Sequence, residues 1–190
     1  GTILITISAV NDLPEISILS SVSMDEDTEY STTVTYSDVD NDLNATVVSS
    51  DTDVIVSIVP STSGGSAQIT IDPNDNYYGT STVTATVTES IVDSIGSSVS
   101  SSFIVTVEPV NDLPIITSIP DDSVKIGGTA FSYDVDVTDV DNTIHNFTLY
   151  QGPTSMTINS SIGSIDWVPT TDDQGTHNII VNVSDGGSPV

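Results

Sequence analysis

A short phrase, Val10-Asn11-Asp12-Leu13-Pro14, returns letter for letter as Val110-Asn111-Asp112-Leu113-Pro114, and this repetition constrains the chain more than any other feature. The residues ahead of it repeat as well: Thr2-Ile3-Leu4-Ile5-Thr6-Ile7 lies over Ser102-Phe103-Ile104-Val105-Thr106-Val107. Asp38-Val39-Asp40-Asn41 recurs as Asp139-Val140-Asp141-Asn142, and Ile69 to Glu89 lies without a gap over Ile165 to Asp185. That last register matches Pro73 with Pro169, Gly79 with Gly175 and Glu89 with Asp185. Several matched blocks in one order mark a duplicated module. Residues 1–9 then read as the last strand of a preceding domain, or as a strand given to a neighbour. Residues 10–109 form a complete domain, and residues 110–190 a second one with no counterpart of the Ser102–Val107 strand.

The repeated unit is a β unit. Val34 and Tyr36, then Val83, Ala85 and Val87, then Phe103, Val105 and Val107 alternate with Thr or Ser. In the second domain Phe131, Tyr133, Val135 and Val137 alternate with Ser132, Asp134 and Asp136, which predicts one continuous strand. Period-two alternation of this kind belongs to antiparallel strands with one buried and one wet face. Ser63-Gly64-Gly65, Asp72-Pro73-Asn74, Gly127-Gly128 and Asp185-Gly186-Gly187 supply the turns. About seven short strands per roughly hundred residues, with no helical period, define a two-sheet sandwich. The fold class is therefore all-β, in tandem immunoglobulin-like antiparallel β-sandwich domains.

Charge narrows the function. One Lys and no Arg stand against 27 acidic residues, for a formal net charge of −26. Nucleic acid and anionic lipid are held by clustered cations, which this chain cannot assemble, so neither is a partner. There is no cysteine, hence no disulfide framework. No stretch approaches the roughly 18 consecutive apolar residues of a membrane span, and no membrane insertion is expected. So many carboxylates oppose compaction unless cations neutralise them, and bound ions do so more specifically than dissolved salt.

The Val-Asn-Asp-Leu-Pro linker with its Asp-Val-Asp-Asn turn resembles the cadherin-like repeats of large bacterial surface adhesins. The second domain also resembles the dystroglycan-type cadherin-like module, through Ser132-Tyr133, Gly163 to Pro169, and Gly175 to Gly186. Cadherin relatives use the linker Asn-Asp and an Asp-x-Asp turn as calcium ligands. The resemblance thus implies bound Ca2+, an extracellular or cell-surface setting, and neighbouring repeats as partners. For the central junction it groups Asn111, Asp112, Asp139, Asp141 and Asp185 with Glu26 and Asp75 of the first domain. An N-terminal junction would use Asn11, Asp12, Asp38 and Asp40, with Asp42 or Glu89 in addition. The chemistry is consistent, because calcium takes six to eight oxygen ligands from carboxylates, amides, carbonyls and water. Pro14 and Pro114 fix the backbone where each linker enters its domain. Glu26 falls opposite Gly127, so a junction beyond the second domain would bind calcium weakly unless Asp172 and Asp173 substitute.

Other functions compete. No enzyme activity is expected, since His145 and His177 are the only near-neutral bases and both read as surface residues. Surface glycans are a second class of partner, for which Trp167, Tyr77, Tyr78 and Tyr150 are the aromatic candidates. Trp167 lies opposite Ile71 in the repeat, which favours a core role, and Tyr77-Tyr78 before Gly79 reads as a packed corner. A third reading is a filament or surface-layer subunit assembling by β-strand donation, with residues 2–9 as the donated strand. An intramolecular Lys–Asn isopeptide bond is impossible in the first domain and open only to Lys125 in the second.

Overall fold

The computed structural model describes residues 1–6, 10–62, 64–90, 96–120 and 130–187. Expectations for Ser63, Lys125, Gly127 and Gly128, and for residues 7–9, lie outside that range. The chain divides into two compact units, Gly1–Pro109 and Val110–Val190.

Unit one contains β1 (Glu15–Ile16), β2 (Val22–Asp25), β3 (Tyr30–Ser37), β4 (Leu43–Ser49), β5 (Val54–Pro60), β6 (Ser66–Pro73), β7 (Gly79–Glu89) and β8 (Ser98–Glu108). They form two four-stranded sheets, ordered β1-β3-β6-β5 and β2-β8-β7-β4. The pairing of β2 with β8 is parallel, and the remaining pairs are antiparallel. Alternation decides which side chains enter. Along β7, Ser81, Val83, Ala85, Val87 and Glu89 are buried while the threonines between them face outward. Phe103, Val105 and Val107 of β8 join them, as do Val34, Ile69 and Ile71 from the facing sheet. On the outer face Thr84 and Thr86 meet Ser102 and Ser100 across the β7–β8 pair at 2.9 and 2.8 Å. This cross-strand hydroxyl ladder explains why the outward positions are Thr and Ser.

The second unit contains β9 (Ile115–Ile116), β10 (Phe131–Asp134), β11 (Val137–Thr138), β12 (Asn146–Gln151), β13 (Thr157–Ile158), β14 (Ser164–Trp167) and β15 (Ile180–Ser184), with one 3-10 turn at Thr171–Asp173. Its pairings repeat those of unit one in register. Phe131 opposes Trp167 and Tyr133 opposes Ile165, as Tyr30 opposes Ile71 and Thr32 opposes Ile69. Val137 and Thr138 oppose Ile116 and Ile115, as Tyr36 and Ser37 oppose Ile16 and Glu15. The matched Gly79 and Gly175 have φ of 152° and 146°.

One expectation needs correction. The alternating run from Phe131 to Val137 is not a single strand but breaks at Val135-Asp136. There Val135 N donates to Gly163 O in register with the β10–β14 pairs, and Asp136 N donates to the Ser118 hydroxyl as Thr35 N does to Ser17 in unit one. The inward alternation survives the break, with Val135 buried.

The smaller core of the second unit is built on Phe147, Ile165 and Trp167. Gly163 makes room for it, since a Cβ there would lie 2.9 Å from the Phe147 ring, and its φ of 74° is left-handed besides. Gly186 has a φ of 82° with nothing within 4 Å of a Cβ. Gly186→Ala should therefore cost only the backbone term of about 1–2 kcal/mol. Gly163→Ala should cost more than that, because the ring must move or a cavity must open around it. Urea unfolding read by Trp167, the sole tryptophan, measures both; equal losses would show that the Phe147 ring yields freely.

Candidate functional site

Each linker is tied to the Asp-x-Asp turn of its own unit by the same hydrogen bonds. In unit one, Asp38 Oδ1 accepts the N–H groups of Asp40 and Asn41 at 2.8 and 2.7 Å, which curls the turn. Asp40 Oδ2 then accepts the Asp12 N–H at 3.0 Å. The Asn41 amide donates to Asn11 Oδ1 at 2.7 Å, and the Asn11 amide donates to both oxygens of Glu89. In unit two Asp139 Oδ1 accepts from Asp141 N and Asn142 N at 2.9 and 2.8 Å. Asp141 Oδ2 accepts from Asp112 N, Asn142 donates to Asn111 Oδ1, and Asn111 donates to Asp185 Oδ2 at 2.7 Å. Gly187 lies so close to the Asn111 amide that a side chain there would collide with it.

Every linker and turn residue singled out from the sequence therefore sits in one of two matched networks: Asn11, Asp12, Asp38 and Asp40, and Asn111, Asp112, Asp139, Asp141 and Asp185. Glu26 and Asp75 are elsewhere in unit one. Glu26 follows β2, is buried at 2% exposure, and its N–H donates to Glu108 O. Asp75 is exposed on the loop between β6 and β7.

Three residues were undervalued from sequence. Asn41 and Asn142, the last letters of the repeated turn, are the bridges between turn and linker. Glu89 rather than Asp42 completes the first network: Glu89 is 4% exposed, whereas Asp42 is exposed on the surface. Its alignment with Asp185 was the available signal. His145 is not a surface residue, as its side chain is 11% exposed and its Nε2 lies 3.1 Å from Asp139 Oδ2. The fully enclosed Asp139 carboxylate draws the ring inward. His177 stands ahead of β15 rather than within it, with Nε2 2.8 Å from Asp173 O.

The donor set is all oxygen and suits a hard cation. Among the described residues, no group of three or more His, Asp or Glu side chains is gathered to hold a metal. Calcium also accepts amide oxygens, backbone carbonyls and water, so carboxylate count alone does not define such a site. The clearest sign of fit is Asp38: one oxygen shapes the turn, while Oδ2 is buried and accepts no hydrogen bond. A buried carboxylate oxygen without a donor carries a desolvation cost that a cation would offset.

The aromatic candidates are dispersed. Trp167 is 8% exposed and donates Nε1–H to the Ser155 hydroxyl, so it belongs to the core. The Tyr77 hydroxyl donates to Asp51 at 2.8 Å, which raises its pKa, while Tyr78 and Tyr150 are exposed.

Residues 113–189 match the family described as "Putative Ig domain". No curated protein sequence matches the chain. Among solved structures, the human Desmocollin-1 ectodomain aligns with TM-score 0.53 at 11% identity, over 93% of this chain and 38% of that one. Protocadherin Gamma C5 EC1-3 gives 0.53 at 14% identity, over 92% and 63%. Mouse Cadherin-23 EC22-24 gives 0.51 at 19% identity, over 92% and 60%. The chain thus spans about two-fifths to two-thirds of these proteins' own lengths. The fold defines a tandem cadherin-like, immunoglobulin-like β-sandwich, and the second unit carries the Ig-type module that the family match describes.

Hydrogen bonding sets the acid behaviour of the second network. Asp185 is held below the ordinary carboxylate value of 3.8 by the Asn111 amide first and the Gly187 N–H next. At Asp139 burial opposes ionisation, but the bonds from Asn142, His145 and Asp141 together outweigh it, and its pKa too is lowered. A depressed folded-state pKa stabilises the fold above the unfolded value and surrenders that stability as pH falls through the folded one. In chelator, unit-two stability read by Trp167 should hold from neutral pH to about pH 5 and then fall progressively towards lower pH. Asp185→Asn should lower the plateau and flatten the fall; an unchanged acid profile would mean that this carboxylate does not couple to folding.

Proposed function

We propose that this chain is a calcium-rigidified, non-enzymatic spacer segment of an extracellular adhesin or surface filament, working beside neighbouring repeats of the same polypeptide. The observation that carries this is the network built twice, residue for residue, from linker Asn-Asp, Asp-x-Asp-Asn turn and a carboxylate at the end of β7 or β15. Ordinary surface aspartates have no reason to reproduce the same partners in both copies. The cadherin-like fold and the chain's formal charge of −26 support the same reading.

In this proposal Asn111, Asp112, Asp139, Asp141 and Asp185 hold calcium at the second linker, with Glu26 and Asp75 as the carboxylates assigned to the preceding repeat. Asn11, Asp12, Asp38 and Asp40, joined by Glu89, do so at the first. The ion supplies positive charge beside the carboxylates of the linker and its turn. Without it their repulsion loosens the linker; with it the linker stiffens.

Thermal unfolding in millimolar calcium and in excess chelator tests the idea directly. A ligand confined to the folded state adds about 2.7 kcal/mol at a hundredfold excess over Kd, which should appear as a clear rise in Tm. Calorimetric titration should find at least one saturable site that disappears in the Asp139→Ala, Asp141→Ala double variant. No rise in Tm and no heat would sink the calcium reading. Small-angle scattering tests stiffness separately: a maximum dimension identical with and without calcium would leave the ion without a mechanical role.

A further inference from the structure

Asn44-Ala45-Thr46 and Asn146-Phe147-Thr148 are Asn-x-Thr sequons, two of the four Asn-x-Ser/Thr sequences in the chain. A three-letter pattern alone does not separate a used sequon from a coincidence; position does. β4 pairs with β7 so that Asn44 opposes Thr88 and Thr46 opposes Thr86. β12 pairs with β15 so that Asn146 opposes Ser184 and Thr148 opposes Asn182. The repeat matches Thr88 with Ser184 and Thr86 with Asn182, so the two sequons occupy one place in the two units. Where Leu43–Ser49 lies over His145–Gln151, Asn and Thr are the only identical letters. The inward residues beside them have changed, from Ala45 to Phe147 and from Val47 to Leu149.

No contact in either unit demands that pair. All four side chains face outward and are exposed, since residues two apart on a strand share a side. Among the described residues, neither asparagine side chain makes a hydrogen bond, and the Thr46 hydroxyl reaches only the Thr86 carbonyl at 3.4 Å. The other two sequons differ. Asn159 Oδ1 accepts the Ser161 N–H and so shapes a turn, and Asn182 stands where unit one has Thr86.

We propose that Asn44 and Asn146 are paired N-glycosylation sites, one per repeat. The proposal rests on the extracellular setting argued above and not on calcium. The donor is an oligosaccharide carried on a lipid diphosphate, and a transferase reads the Thr hydroxyl two residues along. Asn Nδ2 bonds to the anomeric carbon of the first sugar, the bond from that carbon to the diphosphate oxygen breaks, and the amide gives up one proton. The lipid diphosphate leaves with the electron pair, and nothing is oxidised or reduced. The strand gains a guard. β4 is an edge strand without a charged side chain, and Val48, on the same outward face, is 60% exposed. Uncharged edges invite pairing with another chain, and proteins commonly blunt them with Lys or Pro. β4 has neither, and the whole chain has one Lys. A glycan is bulky and solubilising, and on the first outward residue of the strand it obstructs that approach.

The test is intact mass and peptide mapping of the chain recovered from the surface of the cells that make it. Cleavage ahead of aspartates releases residues 42–50 and 141–165, which contain the two sites. Glycan should be found on both Asn44 and Asn146. Thr46→Ala and Thr148→Ala should abolish it with each asparagine still in place, whereas Thr46→Ser and Thr148→Ser should keep it. An exported chain with either asparagine bare overturns the proposal alone, as does modification that survives the alanine variants. A chain found only inside the cell overturns the extracellular reading together with it. The Asn44→Gln, Asn146→Gln variant should still unfold cooperatively, because both side chains are exposed. In sedimentation velocity it should associate at concentrations where the glycosylated chain is monomeric; identical behaviour would remove the guarding role.

Discussion

The two-sided pairing of β7 is the interaction on which the first sandwich rests. An isolated sheet face of Val, Ile and Phe is unstable in water, and a sandwich covers it only if every strand position of the facing layers is filled. β7 links β4 and β8 within one sheet and presents Val83, Ala85 and Val87 to the other. Each fully buried side chain of this size contributes about 1.5–3 kcal/mol relative to exposure. In the second unit Ile179, Val181 and Val183 stand at the corresponding places, and they remain partly exposed. Burial in this fold is thus a property of the pair of strands, not of either sequence alone.

The linkers obey a different physics. Their residues are polar and short, and what organises them is the competition of Asp and Asn side chains for backbone N–H groups. Asp38 and Asp139 each cap two amides of their own turn, which leaves the second aspartate of the motif free to reach the linker N–H. Asn41 and Asn142 then close the loop onto Asn11 and Asn111. Each linker is thereby fixed to the domain that follows it by two side chains from one turn and by one carboxylate, Glu89 at the end of β7 or Asp185 just after β15.

Much of this was legible in the sequence because the repeat supplied an internal comparison. The register of Ile69–Glu89 over Ile165–Asp185 set Trp167 opposite Ile71 and so in the core, and it is buried. It also matched Glu89 with Asp185, which accept the equivalent asparagine amides. What the sequence could not reveal were features that leave the apolar–polar alternation unchanged. The break at Val135-Asp136 has no counterpart in β3, which runs unbroken from Tyr30 to Ser37, and it leaves the alternation of the strand itself unchanged. The burial of His145 depends on an aspartate six residues earlier whose second oxygen needs a donor. No periodicity registers either fact.

His145 shows how the two copies diverge within a common plan. In both, Oδ1 of the turn aspartate is consumed by two backbone N–H groups, so the conformation of the turn is secured without the other oxygen. In unit two that other oxygen, on Asp139, meets an imidazole. In unit one, on Asp38, it is buried and accepts no hydrogen bond. A protein with a single Lys and no Arg has few internal cations with which to neutralise such a carboxylate, and a histidine is one of the few side chains able to donate to it. The alternative is an ion from solvent, and the architecture leaves the same oxygen on the same turn available for either solution.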